Sequence, residues 1–328
     1  MELLTELILG KPLWMWAGFL LIVATLLVFD LGVLHRDSHE IGVAESLRLS
    51  AFYIAMGLGF GGLVWWQLGA QSGLEYFTGF VVEKSLAMDN IFVIALIFGF
   101  FAIPRHLQHR VLFWGILGVI LLRGIMIGLG AALVSRYEWV LFVFAAFLVF
   151  TGFKMLWMAD HAPDLNQNPV LRFLRARFPI TKRLHGERFF VRLRTPRGPV
   201  LFLTPLFLAL VMIEIADVIF AVDSVPAIFA ITIDPYIVYT SNIFAILGLR
   251  ALYFALAAIL HRFEYLKQAL AVLLVFIGSK VFVAEALGWE KFPAPWSLGI
   301  TFAILAAGVG YSLWRTRGGE DAEARGAA

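Results

Sequence analysis

Hydrophobic runs of about 20 residues recur along almost the whole chain, broken only by short polar joints. A helix of that length crosses the hydrocarbon of a bilayer, whereas a soluble core has no use for so many. The pattern predicts an all-α polytopic membrane protein of about nine transmembrane helices, at roughly 13–34, 50–69, 77–101, 111–134, 138–158, 204–231, 236–260, 266–287 and 296–314. The first run follows Glu2, Glu6 and Lys11 rather than a basic leader, and is too long for a signal-peptide core. It reads as a retained span.

Composition agrees, with 61% hydrophobic and 15% charged residues among 328. The absence of cysteine excludes disulfides and thiolate metal sites. An odd number of spans puts the termini on opposite sides. With the N-terminus outside, the outer connections carry only Lys11, Arg136 and Lys291, and the inner ones hold most other cations. The positive-inside rule then favours N-out and C-in. Residues 159–203 form the one sizeable polar connection, a basic cytoplasmic loop with some short structure. It accounts for the pI near 9.2 and predicts contact with anionic lipid headgroups, not nucleic acid. The polar tail 315–328 reads as disordered.

Several charges nevertheless fall inside the spans: the acids Glu83, Asp89, Glu214, Asp217 and Asp223, and the cations Lys84, Arg123, Lys154, Arg250 and Lys280. Each costs about 2.5–3.5 kcal/mol at a helix centre, so they must face one another or water. They also repeat. VVEKSLAMDNIFV (81–93) aligns with IADVIFAVDSVPA (215–227), placing Glu83 over Asp217 and Asp89 over Asp223. ILGVILLRG and FAILGLRA then stack Arg123 on Arg250, and FLVFTGFKM and LLVFIGSKV stack Lys154 on Lys280. Three spans per copy make this an inverted 3+3 repeat, at 77–158 and 204–287, within a transmembrane domain of 13–314.

The bland reading of the cations is structural ion pairing. The acids ask for more, because Asn90 and Ser224 stand beside the two aspartates at equivalent positions and build an oxygen-rich cluster. Residues six apart on a helix lie about 9 Å along the axis and about 120° around it, so Glu83 and Asp89 would be separate stations. A two-fold axis in the membrane plane would bring Asp89 and Asp223 together. Pro226 would free the carbonyl of Val222 beside Asp223 and break the helix there. Carboxylate, amide and hydroxyl oxygens suit a hard divalent cation such as Mn²⁺, Mg²⁺ or Ca²⁺. The histidines lie in loops or at span ends, and the pair His106 and His109 is read as structural.

EYFTGFVVEKSLAMDNIFV, HRVLFWGILGVILLR, IEIADVIFAVDSVPAIFA and TSNIFAILGLRALYF closely resemble the TerC/Alx family of bacterial integral membrane proteins, over residues 14–314 or so. The resemblance implies a nine-helix inner-membrane protein related to LysE-type transporters, exporting manganese under Mn²⁺ or alkaline stress. It carries the family's acidic positions to Glu83, Asp89, Glu214, Asp217 and Asp223, and its first-helix aspartate to Asp30, which an interfacial role would also explain. The family takes its name from tellurium resistance, yet a carboxylate-lined path would repel anionic tellurite. Mn²⁺ or another divalent ion is thus expected as cargo, with no resident cofactor. A non-transporting scaffold of a stress-resistance complex is the alternative. An enzyme is disfavoured, since neither HExxH nor GxSxG occurs. Homo-oligomerisation is left open by the residues.

Overall fold

The computed structural model describes residues 6–32, 43–137, 139–157, 168–196, 198–256 and 266–326. A two-residue hairpin, β1 (Leu7–Ile8) with β2 (Lys11–Pro12), leads into α1 (Leu13–Gly32), α2 (Val43–Leu68), α3 (Ala70–Phe100), α4 (Arg105–Arg136) and α5 (Trp139–Trp157). A short α6 (Pro169–Arg177) and an antiparallel hairpin, β3 (Phe190–Thr195) with β4 (Gly198–Leu203), fill the polar connection. Then follow α7 (Pro205–Phe229), α8 (Pro235–Ile246), α9 (Leu249–Leu256), α10 (Leu266–Ala286) and α11 (Ala294–Gly326).

Seven helical stretches among the described residues are long and apolar enough to cross a membrane, with α8 and α9 counted as one. Their outer surfaces look like lipid-facing surfaces. On α4, Leu121, Ile125, Leu129 and Leu133 form an exposed stripe at the four-residue helical spacing, and Trp66, Trp157 and Trp296 stand exposed at helix ends. Three helices start by one local device: Asn168, Thr204 and Asp234 each accept a backbone N–H, and each is followed by a proline at the first helical position.

The helices pair reciprocally. The first helix of the 77–158 segment, α3, packs on α8 and α9, while α7 packs on α4; α3 also meets α7, and α5 meets α10. The α5–α10 contact is reciprocal in detail. A Cβ on Gly152 would sit 2.7 Å from the carbonyl oxygen of Ala271, and one on Gly278 would sit 2.5 Å from that of Ala145. Small residues at both places let the two backbones touch. Almost every residue of α8 and α9 is buried, so this interrupted helix forms the centre.

Two expectations change here. Pro226 lies inside an uninterrupted α7, whose helix runs to Phe229, so no break occurs beside Asp223. The break falls instead at Leu247 and Gly248, where the chain turns extended and Gly248 adopts φ +80°. A proline removes one hydrogen bond, which neighbouring helices can offset; a left-handed residue changes the chain direction outright. Gly248 also abuts Tyr53, leaving no room for a side chain. The tail, expected to be disordered, continues α11 as backbone helix to Gly326.

Candidate functional site

Arg123 projects from α4 into the centre and is 1% exposed. Its Nη1 donates to Glu83 Oε1 on α3, to Ser224 Oγ on α7 at 3.1 Å and to Asn242 Oδ1 on α8 at 2.9 Å. Its Nη2 reaches Asp217 Oδ1 on α7 at 3.4 Å. Two amides close the ring: Asn242 Nδ2 donates to Glu83 Oε2 at 3.2 Å, and Asn90 Nδ2 donates to Asp217 Oδ1 at 3.3 Å. Four helices are thereby joined through one guanidinium, whose planar fork suits several oxygens at once.

Two acids share one arginine here, so the described cluster holds one carboxylate in excess, and it does not satisfy every oxygen. Asp217 Oδ2 and Asn90 Oδ1 are buried without a partner. Both residues line a cavity of about 20 Å³ whose remaining wall is apolar, including Leu112, Ile116 and Phe220. That is room for one water or one bare cation. Unpaired buried oxygens disfavour the empty state and favour any cation that reaches them.

The expected site residues therefore divide. Glu83, Asn90, Arg123, Asp217 and Ser224 come together. Asp223 does not join them: its carboxylate accepts a hydrogen bond from Thr151 on α5 and lies beside Lys154. The reason is the six-residue spacing, which on the uninterrupted α7 turns Asp223 about 120° from Asp217. The pair meeting at the centre is Glu83 with Asp217, the other pair of the repeat. Glu214 lies against Gly118 of α4, within electrostatic reach of Asp217, with its Oε2 buried and unpartnered. The side chains of Asp30 and Asp89 lie outside the described residues.

Nor do the repeated cations act alike. Lys154 is exposed. Lys280 is buried, donates to Ser297 Oγ at 2.9 Å and senses Glu75. Arg250 is buried near His109. Of the four cations expected to neutralise the acids, only Arg123 stands between Glu83 and Asp217. Among the described residues no three His, Asp or Glu side chains gather as a metal-holding group. The polar residues lining the cavity are instead one carboxylate, Asp217, and one amide, Asn90, with Glu83 outside the lining and paired to the guanidinium.

Asn242 is the member of this cluster that the sequence did not single out. Its signal was an amide within an otherwise apolar span, in the TSNIFAILGLR segment, where an unpaired carboxamide is costly and a partner is therefore implied.

The comparisons with known proteins come to the same membrane context. A family model described as "Integral membrane protein TerC family" matches residues 68–320. The chain is 42% identical over 308 residues to an uncharacterized membrane protein of Myxococcus xanthus, covering 94% of each chain. It is 44% identical over 300 residues to an uncharacterized membrane protein of Rickettsia bellii, covering 92% of this chain and 97% of that one. It is 43% identical over 325 residues to a protein of Escherichia coli K12 called "Putative membrane-bound redox modulator Alx", covering 94% of this chain and 99% of the relative. No solved structure matches.

Proposed function

The chain belongs to the TerC family of integral membrane proteins, and from that premise we propose that it exports a hard divalent cation, Mn²⁺ foremost, across the bacterial inner membrane. The observation that carries this reading is the pair of buried, unpartnered oxygens, Asp217 Oδ2 and Asn90 Oδ1, on two residues that line a cavity of one-ion size beside the buried Glu83–Arg123–Asp217 bridge. Oxygen donors of this kind suit Mn²⁺, Mg²⁺ or Ca²⁺. Arg123 is the resident counter-cation: it holds the acids together when no metal is bound, and an arriving ion displaces it from Asp217. Asp89, Asp223, Glu214 and Asp30 serve as stations along the path rather than as one cage.

The architecture in this reading is nine spans, N-out and C-in, built on inverted repeats at 77–158 and 204–287. The reciprocal pairing of α3 with α8 and of α7 with α4, and the mirrored glycine contacts of α5 and α10, support it. The protein acts without enzymatic chemistry. The redox role in the name of the E. coli relative would reach this chain only through the ion carried, because a chain without cysteine has no thiol couple of its own.

Export is tested by the manganese content of cells lacking their own exporters. Cells expressing the wild type are expected to accumulate less Mn²⁺ than cells expressing equal amounts of Asp217→Asn. Equal manganese in the two strains would favour the scaffold reading instead.

The basic connection contacts anionic headgroups in the same proposal. On the exposed face of the β3–β4 hairpin, Arg192 pairs across from Leu201 and Arg194 from Pro199, beside exposed Phe190. Cations flanking apolar side chains fit the headgroup boundary. Charge reversal, Arg192→Glu with Arg194→Glu, is expected to reduce the phosphatidylglycerol and cardiolipin that copurify with the protein, counted by native mass spectrometry. An unchanged lipid count would remove this surface from consideration.

A further inference from the structure

The interruption between α8 and α9 leaves carbonyl oxygens at the end of α8 without the amides that a continuing helix would bring. They carry the negative end of the helix dipole into a place without water, since residues 240–251 are all buried. One group reaches them. Lys84, 7% exposed on α3, donates from Nζ to the carbonyl oxygen of Ala245 at 3.0 Å and lies 3.4 Å from that of Leu247. Among the described residues no carboxylate pairs with this ammonium; the neighbouring Glu83 is taken by Arg123 and Asn242. The Lys84 nitrogen is thus held in the protein centre by backbone oxygens.

Backbone carbonyls at an interrupted membrane helix are the chemistry that holds hard cations. We propose that the break, through the carbonyls of Ala245 and Leu247, is an alkali-cation site which this chain fills with its own tethered cation, the Lys84 ammonium. A compact ammonium on a four-carbon stem occupies such a site as a point charge, where the arginine fork would not. It follows that the wild type needs no free Na⁺ or K⁺ at this place. A variant that removes the ammonium and leaves its space takes one up.

The test uses the full chain purified in detergent, with thermal unfolding followed in choline, sodium and potassium chloride at equal ionic strength. Lys84→Ala opens the space beside the carbonyls, and Lys84→Met fills it without charge. The wild type is expected to melt at one temperature in all three salts. Lys84→Ala is expected to melt lower in choline and to recover most of the loss in Na⁺ or K⁺, with a midpoint that climbs with cation concentration. Lys84→Met is expected to melt lower in every salt and to recover in none. A Lys84→Ala midpoint equally low in all three salts overturns the proposal, as does recovery of Lys84→Met to the same degree. Because cells supply K⁺ throughout, Lys84→Ala is also expected to accumulate in membranes, and its loss while Lys84→Met accumulates overturns the proposal too. None of these readouts involves manganese, so the carbonyl site stands or falls separately from the export reading.

Discussion

Arg123→Met is expected to leave almost no folded protein in the membrane. The substitution strands Glu83 and Asp217 together in a place from which water is excluded, and it deprives Asn242 and Ser224 of their shared donor. Removing one partner from a buried charge cluster costs about 3–5 kcal/mol in soluble precedents, a large part of the 5–15 kcal/mol that holds a typical domain together. The loss comes from the uncompensated acids rather than from the missing arginine itself. Adding Glu83→Gln and Asp217→Asn to Arg123→Met should therefore restore abundance while leaving the protein unable to carry metal. Membrane abundance and monodispersity in detergent decide it: an Arg123→Met protein as abundant as the wild type would show that this guanidinium does not hold the centre together.

Glu83→Gln and Asp217→Asn, each alone, are expected to cut Mn²⁺ efflux from loaded proteoliposomes by at least about 10–100-fold, and the double variant should be little slower than either. Both acids grip the same arginine, so a carboxylate removed from one side already disables the exchange between arginine and ion. The amide side chains keep the shape and much of the hydrogen bonding, which keeps the variants folded. Asp223→Asn serves as the comparison. Its carboxylate belongs to Thr151 and Lys154, so its loss should be milder and should multiply with that of Glu83→Gln. Losses at Glu83 and Asp217 that simply multiply, or a deeper effect at Asp223, would mean that the central pair has been assigned wrongly.

Much of the site was legible in the chain because charge inside hydrocarbon is expensive. Glu83, Arg123 and Asp217 belonged to a set of charges that had to face one another or water, and Asn90 and Ser224 were marked by standing next to repeated aspartates. Less visible was that Asp217 rather than Asp223 turns to Arg123. A six-residue spacing states the angle between Glu83 and Asp89, or between Asp217 and Asp223, but not the absolute rotation of the helix, which packing sets. The same limit applied to the repeated cations. Lys154 and Lys280 stack in the alignment, yet one is exposed beside Asp223 and the other is buried and donates to Ser297.

The sequence by itself determined that the chain lives in a membrane, roughly where its apolar stretches lie, and which polar groups were costly in lipid, although the helices at Val43, Ala70 and Arg105 begin before the apolar runs do. Hydrophobic run length and the cost of buried charge are local properties, and they act before any helix has met another. Tertiary structure alone decided that Glu83 and Asp217 share Arg123 while Asp223 turns to Thr151 and Lys154, that Asn242 completes the ring, and that the centre breaks at Gly248 rather than at Pro226. Each of these depends on how neighbouring helices rotate and how closely they approach. A lysine such as Lys84 finds its oxygens only after a helix from a distant part of the chain has been laid beside it and interrupted at the right turn.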